Sequence, residues 1–208
     1  MKTVLVTGAT GFIASHLILK LLDAGYAVRG TARSASKAER LNEVLSNYAG
    51  KPVNIRVVAA DLSKDDGWAE AVEGCAYAQH VASPFPEVQP KNDDELIRPA
   101  RDGALRVLKA ARAAGVERVV MTSSMAAIGY GWGDQRPAKF DESHWSNADN
   151  ISDNTAYTRS KTIAERAAWD YIDAEGKGLE LAVINPVAVL GPAMSEDVSS
   201  SLQLISQP

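Results

Sequence analysis

Val4-Leu5-Val6-Thr7-Gly8-Ala9-Thr10-Gly11-Phe12-Ile13-Ala14 stands almost at the start of a 208-residue chain. A short apolar run is broken by two glycines. Leu17, Ile18, Leu21 and Leu22 then recur at the three- and four-residue spacing of a helix with one buried face. The stretch therefore reads as strand, tight turn, helix. The same alternation continues downstream. Strand-like runs cover Ala27–Thr31, Ile55–Ala59, Tyr77–Val81, Val116–Thr122 and Leu179–Asn185, and helical patterns cover Ser36–Leu45, Ala69–Val72, Asp94–Ala114 and Asn154–Asp173. Pro99 lies inside the third of these helices and is expected to bend or interrupt its first turns. Strands separated by helices imply parallel pairing through right-handed crossovers. The near-continuous hydrophobicity of Val4–Val6 and Val116–Met121 fits strands covered on both faces.

Gly8-x-x-Gly11-x-x-Ala14 gives the first turn a chemical meaning. Gly8 permits the tight turn, Gly11 lets a pyrophosphate reach the helix N-terminus, and Ala14 lets the helix pack close to the strand. The fold expected is therefore α/β, a Rossmann-type doubly wound parallel sheet holding a dinucleotide. Thr7, Gly8, Thr10, Gly11, Phe12 and Ile13 are the expected contacts. The end of the second strand selects the cofactor. A carboxylate there would bind the adenine ribose hydroxyls and repel a 2′-phosphate, but the chain has Arg29-Gly30-Thr31-Ala32-Arg33 and no carboxylate until Glu39. Arg33, with Lys37 nearby, suits the extra phosphate of NADP. Asp61 and Leu62 after the third strand are placed for the adenine, and Val81, Ala82 and Ser83 after the fourth for the ribose.

Tyr157 and Lys161 stand four residues apart on a predicted helix and so share a face. A free tyrosine is a poor acid, with a pKa near about 10. A neighbouring cation favours phenolate and makes proton exchange with a carbonyl oxygen feasible. Thr122-Ser123-Ser124 closes the fifth strand; Ser124 is the candidate to orient that oxygen, with Ser123 its competitor aimed differently by strand alternation.

These segments together resemble the extended short-chain dehydrogenase/reductases, in the branch of dihydroflavonol reductases, cinnamoyl-CoA reductases and NADPH-dependent aldehyde or ketone reductases. The resemblance rests on residues 7–14, 29–33, 61–62, Val81-Ala82-Ser83-Pro84, 122–124, 157–161 and Asn185-Pro186-Val187-Ala188-Val189-Leu190-Gly191-Pro192. It implies Ser124, Tyr157 and Lys161 as the catalytic residues. It also implies cofactor contacts from Thr122, Tyr157, Lys161, Pro186, Val187, Val189 and, in a register shared with Ser199 and Ser200, Ser201. The plant flavonoid reductases carry an asparagine where this chain has Gly129. That departure favours a less specialised carbonyl substrate. Most of the family's substrate-binding lobe follows the Asn185–Pro192 segment. The resemblance therefore implies an NADP-binding domain over 1–192, with 193–208 the start of a truncated lobe, most of which is absent. Binding of NADP is expected to tolerate that loss better than turnover.

The remaining features narrow the alternatives. A formal charge of −4 without a basic cluster argues against nucleic acid. No stretch nears the roughly 18 apolar residues of a membrane span, and a soluble, cytoplasmic protein is expected. The one cysteine, Cys75, excludes an internal disulfide; His16, His80 and His144 show no ligand spacing, so no metal is expected. Phe85, Met125 and Trp132 follow cofactor or catalytic strand ends and are candidates for the substrate pocket, with Trp145 and Phe140 nearby. The expected reaction is NADPH-dependent reduction of a small-molecule aldehyde or ketone by a monomer or homodimer. A nucleotide-sugar epimerase or dehydratase and a non-catalytic NADP sensor or scaffold are the competing functions.

Overall fold

The computed structural model describes residues 1–84 and 90–194, except for the side chains of 35–39. Strands β1 (Thr3–Val6), β2 (Ala27–Ala32), β3 (Arg56–Ala59), β4 (Tyr77–His80), β5 (Arg118–Thr122) and β6 (Glu180–Ile184) form one sheet. Its order is β3-β2-β1-β4-β5-β6 and every neighbouring pair is parallel. Helices α1 (Phe12–Asp23), α2 (Ala35–Ala49), α3 (Trp68–Val72), α4 (Asp94–Ala113) and α5 (Ala156–Ala174) make the connections. The expected doubly wound Rossmann-type architecture is the one observed.

Strand pleat explains the two layers. Leu5 and Val6 are adjacent in β1 and both fully buried, yet they belong to different cores. Leu5 joins Leu108 of α4, Val119 of β5 and Tyr171 of α5; Val6 joins Ile18 of α1 and Leu41 and Leu45 of α2. Alternate side chains of one strand thus feed opposite faces. That is why β1 reads as a continuous apolar run. Buried alanines at 104, 111, 164 and 168 lie where α4 and α5 pack on their face, and Arg159 of α5 ties to Asp93 at the N-cap of α4.

The helix boundaries shift by a few residues from the sequence expectation, and of the bend or interruption expected at Pro99 the interruption does not occur. Helix α4 runs through Pro99 without interruption. Proline there removes one helical hydrogen bond, to the carbonyl of Glu95. Burial of Leu96, Ile97 and Ala100 around it holds the helix continuous. At α5 the start is fixed by a reciprocal cap: the Thr158 amide donates to Thr155 Oγ1 at 3.2 Å, and the Thr155 amide donates to Thr158 Oγ1 at 2.9 Å. This cap places Tyr157 in the first turn and Lys161 one turn later. Among the described residues, no helix is long and apolar enough to cross a membrane.

Gly30 in β2 shows how tightly the first turn is seated. A Cβ at Gly30 would lie 2.7 Å from the Cβ of Ala9, below any real contact. Gly30→Ala is expected to cost about 1–3 kcal/mol by overpacking, read as a lower midpoint in urea unfolding. Adding Ala9→Gly should recover part of that loss; strictly additive losses would show that the two residues do not press on each other.

Candidate functional site

The strand order reverses between β1 and β4, and a cleft of about 550 Å³ opens at their carboxyl ends. In open α/β sheets this switch point is where ligands bind. One wall is the first turn. Gly8 sits at φ +63°, and a Cβ on it would stand 3.0 Å from the Cβ of Ala82. Gly11 is the N-cap of α1; no side chain caps the helix, and its first turn carries no acidic residue. The first amide groups of that turn, which have no partner within the helix, and the positive end of the helix dipole lie at this wall, an arrangement that could receive an anion. Thr10, Phe12 and Ile13 share this wall.

A second wall comes from the ends of β2 and β3. Arg33 is exposed and lines the cleft beside Asp61 and Leu62. The Ser63 amide and hydroxyl donate to Asp61 Oδ1 at 2.8 and 2.7 Å; these bonds, helped by the charge of Arg33, hold its carboxyl below the usual carboxylate range. Trp68, which the sequence reading did not single out, is buried here. Its indole donates to the carbonyls of Asp61 and Lys64 and keeps the 61–64 turn in place. Thr31 and Pro99 also reach the wall. Alternating apolar and polar residues gave no signal for either.

The third wall collects Val81, Ala82, Ser83, Thr122, Ser123, Ser124, Tyr157, Lys161, Pro186, Val187 and Val189. Ser124 caps a short 3-10 turn, its Oγ accepting from the Ala126 amide at 3.2 Å. Asn185 Nδ2 donates to the Ser124 carbonyl at 3.1 Å and to Glu165 Oε2 at 2.8 Å, so the end of β6 fixes the serine segment. Lys161 is only 8% exposed; its Nζ donates to Ser83 Oγ at 3.0 Å and stands 5.7 Å from the centroid of the Tyr157 ring. Burial pushes the Lys161 ammonium down to about 8, against the opposing pull of Glu165. Ser123 Oγ is buried without a hydrogen-bond partner among the described residues. Such a group costs free energy unless something in the cleft satisfies it.

Several sequence candidates lie elsewhere. Thr7 is fully buried beneath the wall rather than on it, because its hydroxyl serves the backbone of Val81 and Ala82. Trp132 and Met125 are not on the cleft wall. The Trp132 indole donates to the Ile128 carbonyl and packs tilted against Phe140 and edge-on against His144, and Met125 places its Cε beside Gly129. His16 contacts the Pro192 carbonyl at 2.9 Å, and Cys75 is buried, with its thiol pushed up by that burial. Among the described residues no cluster could hold a metal ion. Phe85 and Ser201 lie outside the described residues, as does the side chain of Lys37.

Comparison with known proteins agrees with this geometry. Residues 4–207 match the model of the NAD dependent epimerase/dehydratase family. A putative anthocyanidin reductase of Ginkgo biloba is 38% identical across 97% of this chain and 60% of its own length. Cinnamoyl-CoA reductase 1 of Arabidopsis thaliana is 38% identical across 97% of this chain and 56% of its own. Among solved structures, yeast methylglyoxal/isovaleraldehyde reductase Gre2 complexed with NADPH superposes with a TM-score of 0.81 at 32% identity, covering 98% of this chain and 64% of that one. Vestitone reductase from alfalfa gives 0.80 at 31% identity, covering 98% and 62%. The chain thus spans about 60% of the length of these relatives.

The buried lysine has a measurable signature. Below pH about 8 both folded and unfolded chains hold the Lys161 proton, and the burial penalty is full. Between about 8 and the ordinary value of 10.5 only the unfolded chain keeps it, so stability rises with pH across that window. Lys161→Met is therefore expected to stabilise the cofactor-free chain at pH 7 by about 1–3 kcal/mol. The gain should shrink as pH approaches about 10. Urea unfolding at two pH values reads it, and a destabilised variant at pH 7 would contradict the burial penalty.

Proposed function

The chain belongs to the NAD dependent epimerase/dehydratase family, and from that premise we propose that it is the cofactor-binding part of an NADPH-dependent reductase that converts an aldehyde or ketone to an alcohol. The observation that carries this reading is a buried ammonium, Lys161, one helical turn from Tyr157 on the wall of the cleft that also holds the uncapped glycine turn. We assign residues 1–192 to the cofactor domain and 193–208 to the start of a substrate-binding lobe.

The cleft fits a dinucleotide. In its glycine turn a Cβ at Gly8 would crowd Ala82, and the amide groups at the start of α1 suit a pyrophosphate. Arg33 would hold the 2′-phosphate; Asp61 and Leu62 the adenine; Val81, Ala82 and Ser83 the ribose beside it. Lys161, Pro186, Val187 and Val189 would hold the nicotinamide end. Lys37 and Ser201 remain proposed as additional phosphate contacts. When bound, the nicotinamide supplies the hydride. The chain's own residues manage the oxygen. The Ser124 hydroxyl donates a hydrogen bond to the carbonyl oxygen, and Tyr157 gives its phenolic proton to that oxygen as the carbon–hydrogen bond forms. Lys161, protonated below its pKa of about 8, favours the phenolate left behind. Solvent then returns the proton. Preorganised donors of this kind are worth most in a site shielded from water.

A general carbonyl substrate suits the 125–129 turn. Glycine at 129 offers no polar side chain there, and a Cβ would stand 3.1 Å from Met125 Cε, the flexible end of its side chain. Arg33 argues against an NAD-retaining epimerase, and intact Ser124, Tyr157 and Lys161 argue against a silent scaffold.

The proposal is tested by following NADPH oxidation with a panel of aldehydes and ketones, with NADH in parallel. Tyr157→Phe is expected to lower kcat by about 10²-fold or more, the scale of a lost general acid, while NADPH binding is unchanged. A Phe variant with full turnover would sink the mechanism. Arg33→Ala should raise the KM for NADPH by roughly tenfold or more and leave that for NADH nearly unchanged, because one charge-assisted phosphate contact is lost. Equal effects on both cofactors would remove Arg33 from phosphate recognition.

A further inference from the structure

Thr7 and His80 form a buried pair that the proposed reaction does not use directly. Thr7 directly follows β1 with no exposed surface, and His80 ends β4 at 4% exposure. Thr7 Oγ1 lies 2.9 Å from His80 Nδ1. The same oxygen accepts from the amides of Val81 at 3.1 Å and Ala82 at 3.0 Å. These amides lie where β1 and β4 part, just past the last ladder bond, from the Thr7 amide to the Gln79 carbonyl at 3.0 Å. A hydroxyl has taken over the backbone's role as acceptor.

A hydroxyl has one hydrogen and two lone pairs. Two amides occupy both lone pairs, so its hydrogen must go to His80. Nδ1 is then the bare acceptor nitrogen, and the ring proton sits on Nε2. A proton on Nδ1 would point a donor at an oxygen with no lone pair left. The surroundings agree: burial and the nearby charge of Lys161 hold the imidazolium down to about 4, so the ring is neutral near pH 7. The segment fixed in this way continues into Ser83, whose Oγ receives the Lys161 ammonium at 3.0 Å. It also includes Ala82, whose Cβ would stand 3.0 Å from a Cβ on Gly8.

We infer that His80, as the neutral Nε2–H tautomer, is a positioning residue that orients the Thr7 hydroxyl, pins residues 81–83 and so sets Ser83 against Lys161. Its effect on cofactor affinity rests on the nicotinamide reading of the cleft; its bonding does not.

Three readouts test it on the cofactor-free 208-residue chain and its variants. Nitrogen-15 NMR of the imidazole is expected to show a bare Nδ1 and a protonated Nε2 near pH 7. Hydrogen exchange of the Val81 and Ala82 amides should accelerate by about tenfold or more in His80→Leu, the equivalent of one net hydrogen bond, while amides of β5 and α5 keep their rates. His80→Asn, whose carboxamide oxygen is an acceptor near the position of Nδ1, should restore protection at both amides. Thr7→Val should lose it as His80→Leu does. NADPH affinity is expected to follow the same ranking, with His80→Asn within about threefold of the parent and the other two weakened by about tenfold. A proton on Nδ1, a charged ring at pH 7, or unchanged exchange at Val81 and Ala82 in His80→Leu overturns the inference. Uniformly faster exchange throughout the chain also overturns it, because that marks a general loss of stability. A parent chain that does not bind NADPH defeats the cofactor reading, and the tautomer and exchange results still decide the role of His80.

Discussion

Gly8 and Ala82 meet at the place where the sheet changes direction, in a contact tight enough that a side chain on Gly8 would have to push its neighbour aside. A Cβ on Gly8 would stand 3.0 Å from that of Ala82, and the glycine's φ of +63° is one that other residues rarely adopt. Both residues line the cleft. Their contact brings the first turn of α1 beside the end of β4, so a pyrophosphate held on helix amides would lie next to the residues proposed for the ribose. Threonines secure both sides of it. Thr31 accepts from the Gly8 amide at 3.1 Å, and Thr7 accepts from Val81 and Ala82. The strand ends are stitched by hydroxyls where the ladder of parallel strands stops.

The site holds its chemistry at some cost to the fold. Lys161 is a cation placed where burial opposes its charge, and Ser123 keeps a buried hydroxyl unsatisfied among the described residues. Strain of this sort gathers at functional sites and is offset elsewhere. Here the offset comes from the cores on the two faces of the sheet, which share β1 through the opposite-facing Leu5 and Val6.

The fold was legible because each level of the sequence agreed. Apolar runs, helix periodicity and the glycine turn all pointed to one parallel sheet, and that agreement marks a well-specified structure. The proposed catalytic residues were legible because Ser124, Tyr157 and Lys161 are separated by lengths the fold closes. What escaped depended on three-dimensional bonding. Thr7 read as a cofactor contact since it precedes the glycines, but its hydroxyl turns inward to amides more than 70 positions away. Trp68 gave no local sign that its indole would anchor the Asp61 turn. Met125 and Trp132 follow a catalytic strand end, yet packing with Gly129 and with Phe140 and His144 takes them off the cleft wall. Pro99 broke a propensity rule that burial of its neighbours overrode.

Membership of the extended short-chain dehydrogenase/reductases follows from a family match over residues 4–207. The central claim about the chain itself is that the cleft at the switch point is an NADP site built on the Gly8–Ala82 contact. A fluorescence titration of the 208-residue chain with NADPH tests it most directly, run alongside NADH and a Gly8→Val variant. The account predicts saturable one-to-one binding, tighter for NADPH than for NADH, and its loss in a Gly8→Val chain that retains its helical circular dichroism. Undiminished NADPH binding in that variant, or no binding by the parent chain, would contradict it.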